Sequence, residues 1–209
     1  MNRLNSAAIT LGFIGLLIAG CGTFSPKPDP SKFFTLSSLP RVEEPAANNS
    51  SASESIFLGI GPVKFPGYLD RQEIVTRSGE NRFDVSENDR WAEPLDENFS
   101  RMLSQNLAIL LPTDRIIQYP WPSSQKPNYQ VAIDVLRFEV NSTRDAHLWA
   151  RWEVIDGSSK TPVAVKESRL RRQANDRSPD AAVAALSEAG GDLSRAIADA
   201  VRAIDRRKK

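Results

Sequence analysis

The stretch Leu148-Trp149-Ala150-Arg151-Trp152-Glu153-Val154-Ile155, then Asp156-Gly157-Ser158-Ser159, then Val163-Ala164-Val165-Lys166-Glu167-Ser168-Arg169-Leu170 decides the fold class. Asp, Gly and Ser between two strand-like runs favour a tight reversal, so the runs read as an antiparallel hairpin. Upstream, Tyr129, Val131, Ile133 and Val135 alternate with Gln130, Ala132, Asp134 and Leu136, which gives a strand with one buried face and one mixed face. A second hairpin is expected where Glu73–Thr76 and Arg82–Val85 flank Ser78-Gly79-Glu80-Asn81. Ile56 to Phe65 reads as a buried-type strand, Arg115–Tyr119 as a short one, and Ser31–Ser37 has strand composition. Hairpins of this kind exclude an all-parallel, doubly wound sheet.

Two segments have helical spacing. Trp91, Leu95, Phe99, Met102 or Leu103, Leu107 and Leu110 form one apolar stripe closed by Pro112, with Asp89 as its cap and Pro94 in its first turn. The last helix has Ser178 placed to cap it, Pro179 at its first position and Asp180 in its positive first turn. Leu186, Leu193, Ile197, Val201 and Ile204 make its stripe, and Gly190-Gly191 predicts a kink or break. Arg206-Arg207-Lys208-Lys209 complements the negative end of that helix. Strands in two groups, each followed by a helix, predict an α/β single-domain sandwich: a mixed sheet with hairpins and two main helices packed on it.

The 209 residues, 40% hydrophobic and 25% charged, suffice for one well-buried core. A net charge of +1 excludes a nucleic-acid binder driven by bulk positive charge. One Cys allows no intramolecular disulfide, and with one His it excludes the usual zinc ligand sets, so neither a metal nor a cofactor is expected.

Ala7 to Ala19 are apolar except for Thr10, Gly12 and Gly15. As a helix they reach about 20 Å, short of the ~30 Å hydrocarbon core, and so read as a signal-peptide segment. Ile18-Ala19-Gly20-Cys21 follows, and its form resembles a bacterial lipobox, with cleavage between Gly20 and Cys21 and a diacylglycerol thioether on Cys21. Removing Arg3 with residues 1–20 leaves 26 basic against 26 acidic side chains, so acyl chains and not charge would hold the protein on a bilayer. Residues 21–30, with three prolines in GTFSPKPDP, read as a tether reaching roughly 30 Å. Residues 31–209 form the expected domain, with a mobile loop at 39–55. Gly22 in place of Asp favours outer-membrane sorting, by resemblance to enterobacterial lipoproteins.

Catalytic constellations are sparse. His147 is the only imidazole and no Gly-x-Ser-x-Gly elbow exists, so it reads as an exposed or structurally bonded side chain. Gly59-Ile60-Gly61 starts like a dinucleotide loop, but Lys64 stands at the third glycine position and no phosphate-binding Gly-Lys loop is present. Glu93, Asp96 and Glu97 favour a helix N-terminus for structural reasons. Asp134 and Glu139, five apart on a strand, are expected on opposite faces. Arg169 and Arg171 share a face beside Arg172 and Arg177, either to meet an acidic partner or lipid phosphates or to protect a sheet edge.

The most distinctive stretch is Gly61-Pro62-Val63-Lys64-Phe65-Pro66-Gly67-Tyr68-Leu69-Asp70-Arg71, followed by Ile74-Val75-Thr76-Arg77 and later by Arg90-Trp91-Ala92-Glu93-Pro94-Leu95. With the lipobox, Phe34-Thr35-Leu36 and Tyr119-Pro120-Trp121, these blocks resemble the PqiC (YmbA-like) family of ABC-type transport auxiliary lipoproteins. The resemblance implies structural roles for Gly61, Pro62, Pro66, Trp91, Glu93, Pro94 and Leu95. It also implies a non-enzymatic lipoprotein on the periplasmic side of the outer membrane. There it would act with an MCE-domain protein of the inner membrane in moving lipids or other hydrophobic molecules, and so support envelope integrity. Two other readings stay open: a scaffold lipoprotein of other outer-membrane machinery, and a cell-wall hydrolase using Asp134 or Glu93. Tyr68, Leu69, Asp70 and Arg71 are the candidate surface for a partner or a second copy. In the alternative, Tyr68 and Leu69 tuck into the core and Asp70 bonds Arg71.

Overall fold

The computed structural model describes residues 29–41, 56–111 and 113–208; the lipobox and most of the expected loop lie outside them. In chain order the elements are β1 (Lys32–Phe34), β2 (Leu58–Lys64), β3 (Glu73–Gly79), β4 (Arg82–Trp91), α1 (Leu95–Leu110), β5 (Ile116–Gln118), β6 (Tyr129–Asn141), β7 (Asp145–Asp156), β8 (Pro162–Gln173) and α2 (Pro179–Lys208). Ser31–Lys209 is one compact unit.

The alternating strand β6 organises an eight-stranded mixed sheet. One edge of β6 pairs antiparallel with β7 along nearly its whole length, and β8 continues that meander. Its other edge is divided between two parallel partners. β2 runs beside Tyr129–Asp134, and β3 beside Val140 and Asn141. β5 extends the β2 branch, while β4 and then β1 extend the β3 branch. The sheet therefore forks at the middle of β6.

Both helices cover one face. α1 lies over β2 and β5, and α2 lies over β7 and β8. The core between sheet and helices includes Leu58, Ile60, Phe99, Leu103, Phe138, Leu148, Leu193 and Ile197. Phe65, Phe99 and Phe138 meet edge to face with centroids 5.4 to 5.9 Å apart, the arrangement favoured by ring quadrupoles. Ser178 caps α2 through its Oγ, which accepts from Ala181 N–H at 3.1 Å.

Several expectations are corrected. Trp91 closes β4 and does not open the helix; its N–H donates to Gln72 O, and Asp89 accepts from the Ser86 hydroxyl and caps nothing. Strand partners on both sides of β4 outweigh the local helical spacing, and Pro94 occupies the cap position of α1. Gly190-Gly191 do not break their element, because α2 runs without interruption to Lys208. A Cβ on Gly190 would sit 2.6 Å from Met102 Cε, and one on Gly191 2.9 Å from Leu39 Cδ2, so the glycines let α1 and the Leu36–Leu39 segment approach α2 closely.

Leu39, expected to begin a mobile loop, is held in place. Its N–H donates to Asn106 Oδ1, as Leu36 N–H does to Asn98 Oδ1 and Ser37 N–H to Ser187 Oγ. Buried side chains thus satisfy a backbone segment that has no strand partner. Finally, Asp134 and Glu139 share a sheet face. An irregularity between Val135 and Arg137 in the β6–β7 register inserts Leu136 and reverses the alternation beyond it.

Candidate functional site

The block Phe65–Gln72 leaves β2 and returns as β3, and both strands pair with β6. It therefore spans the fork of the sheet. Within it Gly67–Leu69 form a single 3₁₀ turn, with Leu69 N–H donating to Pro66 O at 2.9 Å and Asp70 N–H to Gly67 O at 3.2 Å. The turn sends successive side chains to different places. Leu69 enters the core and is 4% exposed. Tyr68 goes to the face opposite the helices, and Asp70 and Arg71 face solvent.

Tyr68 closes a buried polar cluster there. Its hydroxyl donates to Glu139 Oε2 at 2.7 Å. The other carboxylate oxygen accepts from Arg77 Nε at 2.8 Å and Arg137 Nε at 2.6 Å, and Phe138 N–H donates to Oε2 at 3.2 Å. Phe83 floors the cluster: the Tyr68 ring stacks on it at 4.4 Å and the Arg77 guanidinium lies 4.3 Å from its centroid. Glu139 is wholly buried. Burial by itself would push its carboxyl up, but the bonds from Tyr68, Arg77 and Arg137 prevail and hold it below the usual carboxylate range. Burial, and then the bond to Glu139, push the Tyr68 phenol up and keep it protonated. A buried acid with every lone-pair direction engaged is a brace and not a proton-transfer group.

The candidate surface is revised accordingly. Leu69 is core and cannot be offered to a partner, and Tyr68 is half-buried as a structural donor. Asp70 and Arg71 are left at the surface, beside a cavity of 330 Å³ also lined by Gln72 and Asp96. Replacing Tyr68 by phenylalanine is expected to cost about 2 kcal/mol, the value of a hydrogen bond to a charged group. Chemical denaturation measures it, and a loss below about 0.5 kcal/mol would contradict the brace.

The remaining singled-out residues have plain positions. Trp91 and Leu95 are core, and Glu93 pairs with Arg101. Gly61, with φ of +109° and followed by a cis bond to Pro62, occupies backbone space that an L side chain strains to enter. His147 lies 3.4 Å from Asn141 Nδ2 through its Nε2, and burial and then Arg137 keep it below its ordinary pKa. Arg172 pairs with Asp192 and Arg171 with Asp145, while Arg169 holds Glu167 and covers the Trp149 ring at 4.2 Å. Glu139 and its arginines were missed as a site. Arg137 and Glu139 are two apart on one strand, but Arg77 and Tyr68 stand 62 and 71 residues away in sequence.

Two solved structures resemble this architecture. A protein of Xanthomonas campestris aligns with a TM-score of 0.68 at 15% identity, covering 85% of this chain and 98% of its own. An uncharacterized protein aligns with a TM-score of 0.66 at 17% identity, covering 82% and 98%. At these identities the likeness is one of fold. No curated protein matches the chain. A family model described as the ABC-type transport auxiliary lipoprotein component matches residues 34–198, which include Tyr68, Arg77, Arg137 and Glu139. By that match the chain belongs to the ABC-type transport auxiliary lipoprotein component family.

Proposed function

We propose that this protein is an outer-membrane lipoprotein, acylated on Cys21 and facing the periplasm, that serves without catalysis as an accessory subunit of an MCE-type system moving lipids or other hydrophobic molecules between membranes. The family match over residues 34–198 carries the reading. The Ile18-Ala19-Gly20-Cys21 sequence supports the anchor, and Gly22 supports outer-membrane sorting. Among the described residues no helix is long and apolar enough to cross a membrane. Of the two acids named for hydrolysis, Glu93 is paired with Arg101, and Asp134 is an exposed side chain opposite Lys64 and Arg151 in the register.

Two experiments test the proposal. Metabolic labelling with palmitate is expected to mark the wild-type chain and not the Cys21→Ser variant; a chain found unacylated with a titratable thiol would overturn the anchor. An affinity-tagged chain is expected to capture an MCE-domain protein from solubilised envelopes. Capture of other outer-membrane machinery in its place would favour the scaffold reading. The exposed pair Asp70 and Arg71 is the proposed contact. The double variant Asp70→Ala, Arg71→Ala should lose capture while its unfolding free energy moves by less than about 0.5 kcal/mol. Unchanged capture would remove this loop from the interface.

A further inference from the structure

The sheet face opposite the helices is laid out by strand register. Arg137 of β6 stands across from Trp149 of β7, and Trp149 across from Arg169 of β8. One register step along, Glu139, His147 and Arg171 form the neighbouring row. Side chains of these rows project on the side of Tyr68 and Glu139, where neither helix packs. At the centre lies a cavity of 230 Å³ lined by Arg137, His147, Trp149 and Arg169, with Leu148 and Leu170 beneath. No carboxylate lines it.

The acids near the cavity lie outside its lining and orient its arginines. Glu139 takes the Arg137 Nε at 2.6 Å and Glu167 takes the Arg169 Nε at 2.9 Å. A guanidinium carries five donors, so one held at Nε keeps donors for a ligand while its direction is already set. Trp149 Nε1 is shielded from water and is directed at the Glu167 carboxylate, which it helps to hold below the usual range. The charge count favours an anion. Glu139 serves Arg77 as well as Arg137, and Glu167 serves Arg151 as well as Arg169. Four guanidiniums thus share two carboxylates, while Asp134 stands opposite both Arg151 and Lys64 in the register. Near pH 7 the depressed pKa of His147 leaves it neutral, able to donate one hydrogen bond without adding charge.

We propose that Arg137, His147, Trp149 and Arg169 form a binding site for a phosphodiester monoanion, the headgroup phosphate of a glycerophospholipid. The two oriented guanidiniums, each with donors left free, suit a phosphate oxyanion. The Trp149 ring, under the Arg169 guanidinium at 4.2 Å, fixes that group beside the cavity. Naming a lipid as the source of the phosphate rests on the transport reading above; the oxyanion chemistry does not.

The test uses the full chain in neutral detergent, titrated with glycerophosphoglycerol, which is a headgroup without acyl chains, and separately with inorganic phosphate. Calorimetry reads affinity, and the Trp149 indole N–H resonance reports the site. Saturable binding of the diester, tighter than that of phosphate, with a shifted Trp149 resonance, is the expected result. Arg169→Gln, at an exposed position that should not disturb folding, is expected to weaken it about tenfold or more. Arg137→Gln, with its far-ultraviolet spectrum native, is expected to do the same. Absence of diester binding, or binding unchanged in Arg169→Gln, overturns the site. Binding of phosphate without the diester overturns the lipid headgroup as its source. Any of these failures leaves the acylation and partner-capture results standing, since neither uses this face.

Discussion

Replacing Glu139 by alanine is expected to lower the unfolding free energy by about 3–5 kcal/mol, the usual consequence of removing one partner from a buried ionic cluster. The variant would leave Arg77 and Arg137 without their shared carboxylate, and the Tyr68 hydroxyl without its acceptor. Three elements are affected together, because the cluster ties the Phe65–Gln72 block, β3 and β6 at the fork of the sheet. Glu139→Gln keeps one acceptor but removes the charge, and an intermediate loss is expected. The pH dependence has a definite sign. The Glu139 carboxyl is depressed in the folded chain, so its contribution is complete above the ordinary glutamate pKa of about 4.3 and is lost as pH falls through the lower folded value. Urea denaturation at neutral pH and again in the acid range measures both effects. A wild-type advantage over Glu139→Ala below 1 kcal/mol at pH 7, or one that does not shrink in acid, would contradict the brace.

Gly157→Ala is expected to be nearly as damaging for a different reason. Gly157 sits in the β7–β8 turn and donates its N–H to Asn128 O at 2.8 Å. A Cβ there would fall 1.9 Å from Pro127 O and 2.9 Å from Asn128 O. Both obstacles are backbone, which cannot rotate aside as a side chain can, so the hairpin or the 121–128 loop must move. A cost of about 3 kcal/mol follows from overpacking, or roughly 6–12 °C in midpoint for a domain of this size. Gly67→Ala is the matched comparison: a Cβ there meets nothing within 4 Å, and the expected change is within about 0.5 kcal/mol. Equal effects of the two substitutions would refute the steric account.

Much of the architecture could be read from local patterns. The β7–β8 hairpin around Asp156-Gly157-Ser158-Ser159 and the capping of α2 by Ser178 follow from turn and cap chemistry that acts within a few residues. The errors share one cause. Trp91 fits a helical stripe by spacing, but β1 and β3 supply backbone partners that spacing does not reveal. Gly190-Gly191 looks like a break, yet Met102 and Leu39 use the missing Cβ atoms. Asp134 and Glu139 were separated by strict alternation, which Leu136 interrupts. The candidate site was harder still. The Tyr68 block stood out as a distinctive loop, but its hydroxyl acceptor Glu139 lies 71 residues away on β6, where the acceptor's partner Arg137 also stands.

From the chain alone came the mixed sheet with its two helices, because it rests on short-range patterning. Folding in three dimensions decided that β6 would be shared by two parallel partners, that Tyr68 would brace Glu139, and that Arg137 and Arg169 would flank Trp149 across a helix-free face. Strand register and a one-residue bulge set those neighbours. Both depend on which distant strands bury which faces together, and no local run of residues carries that information.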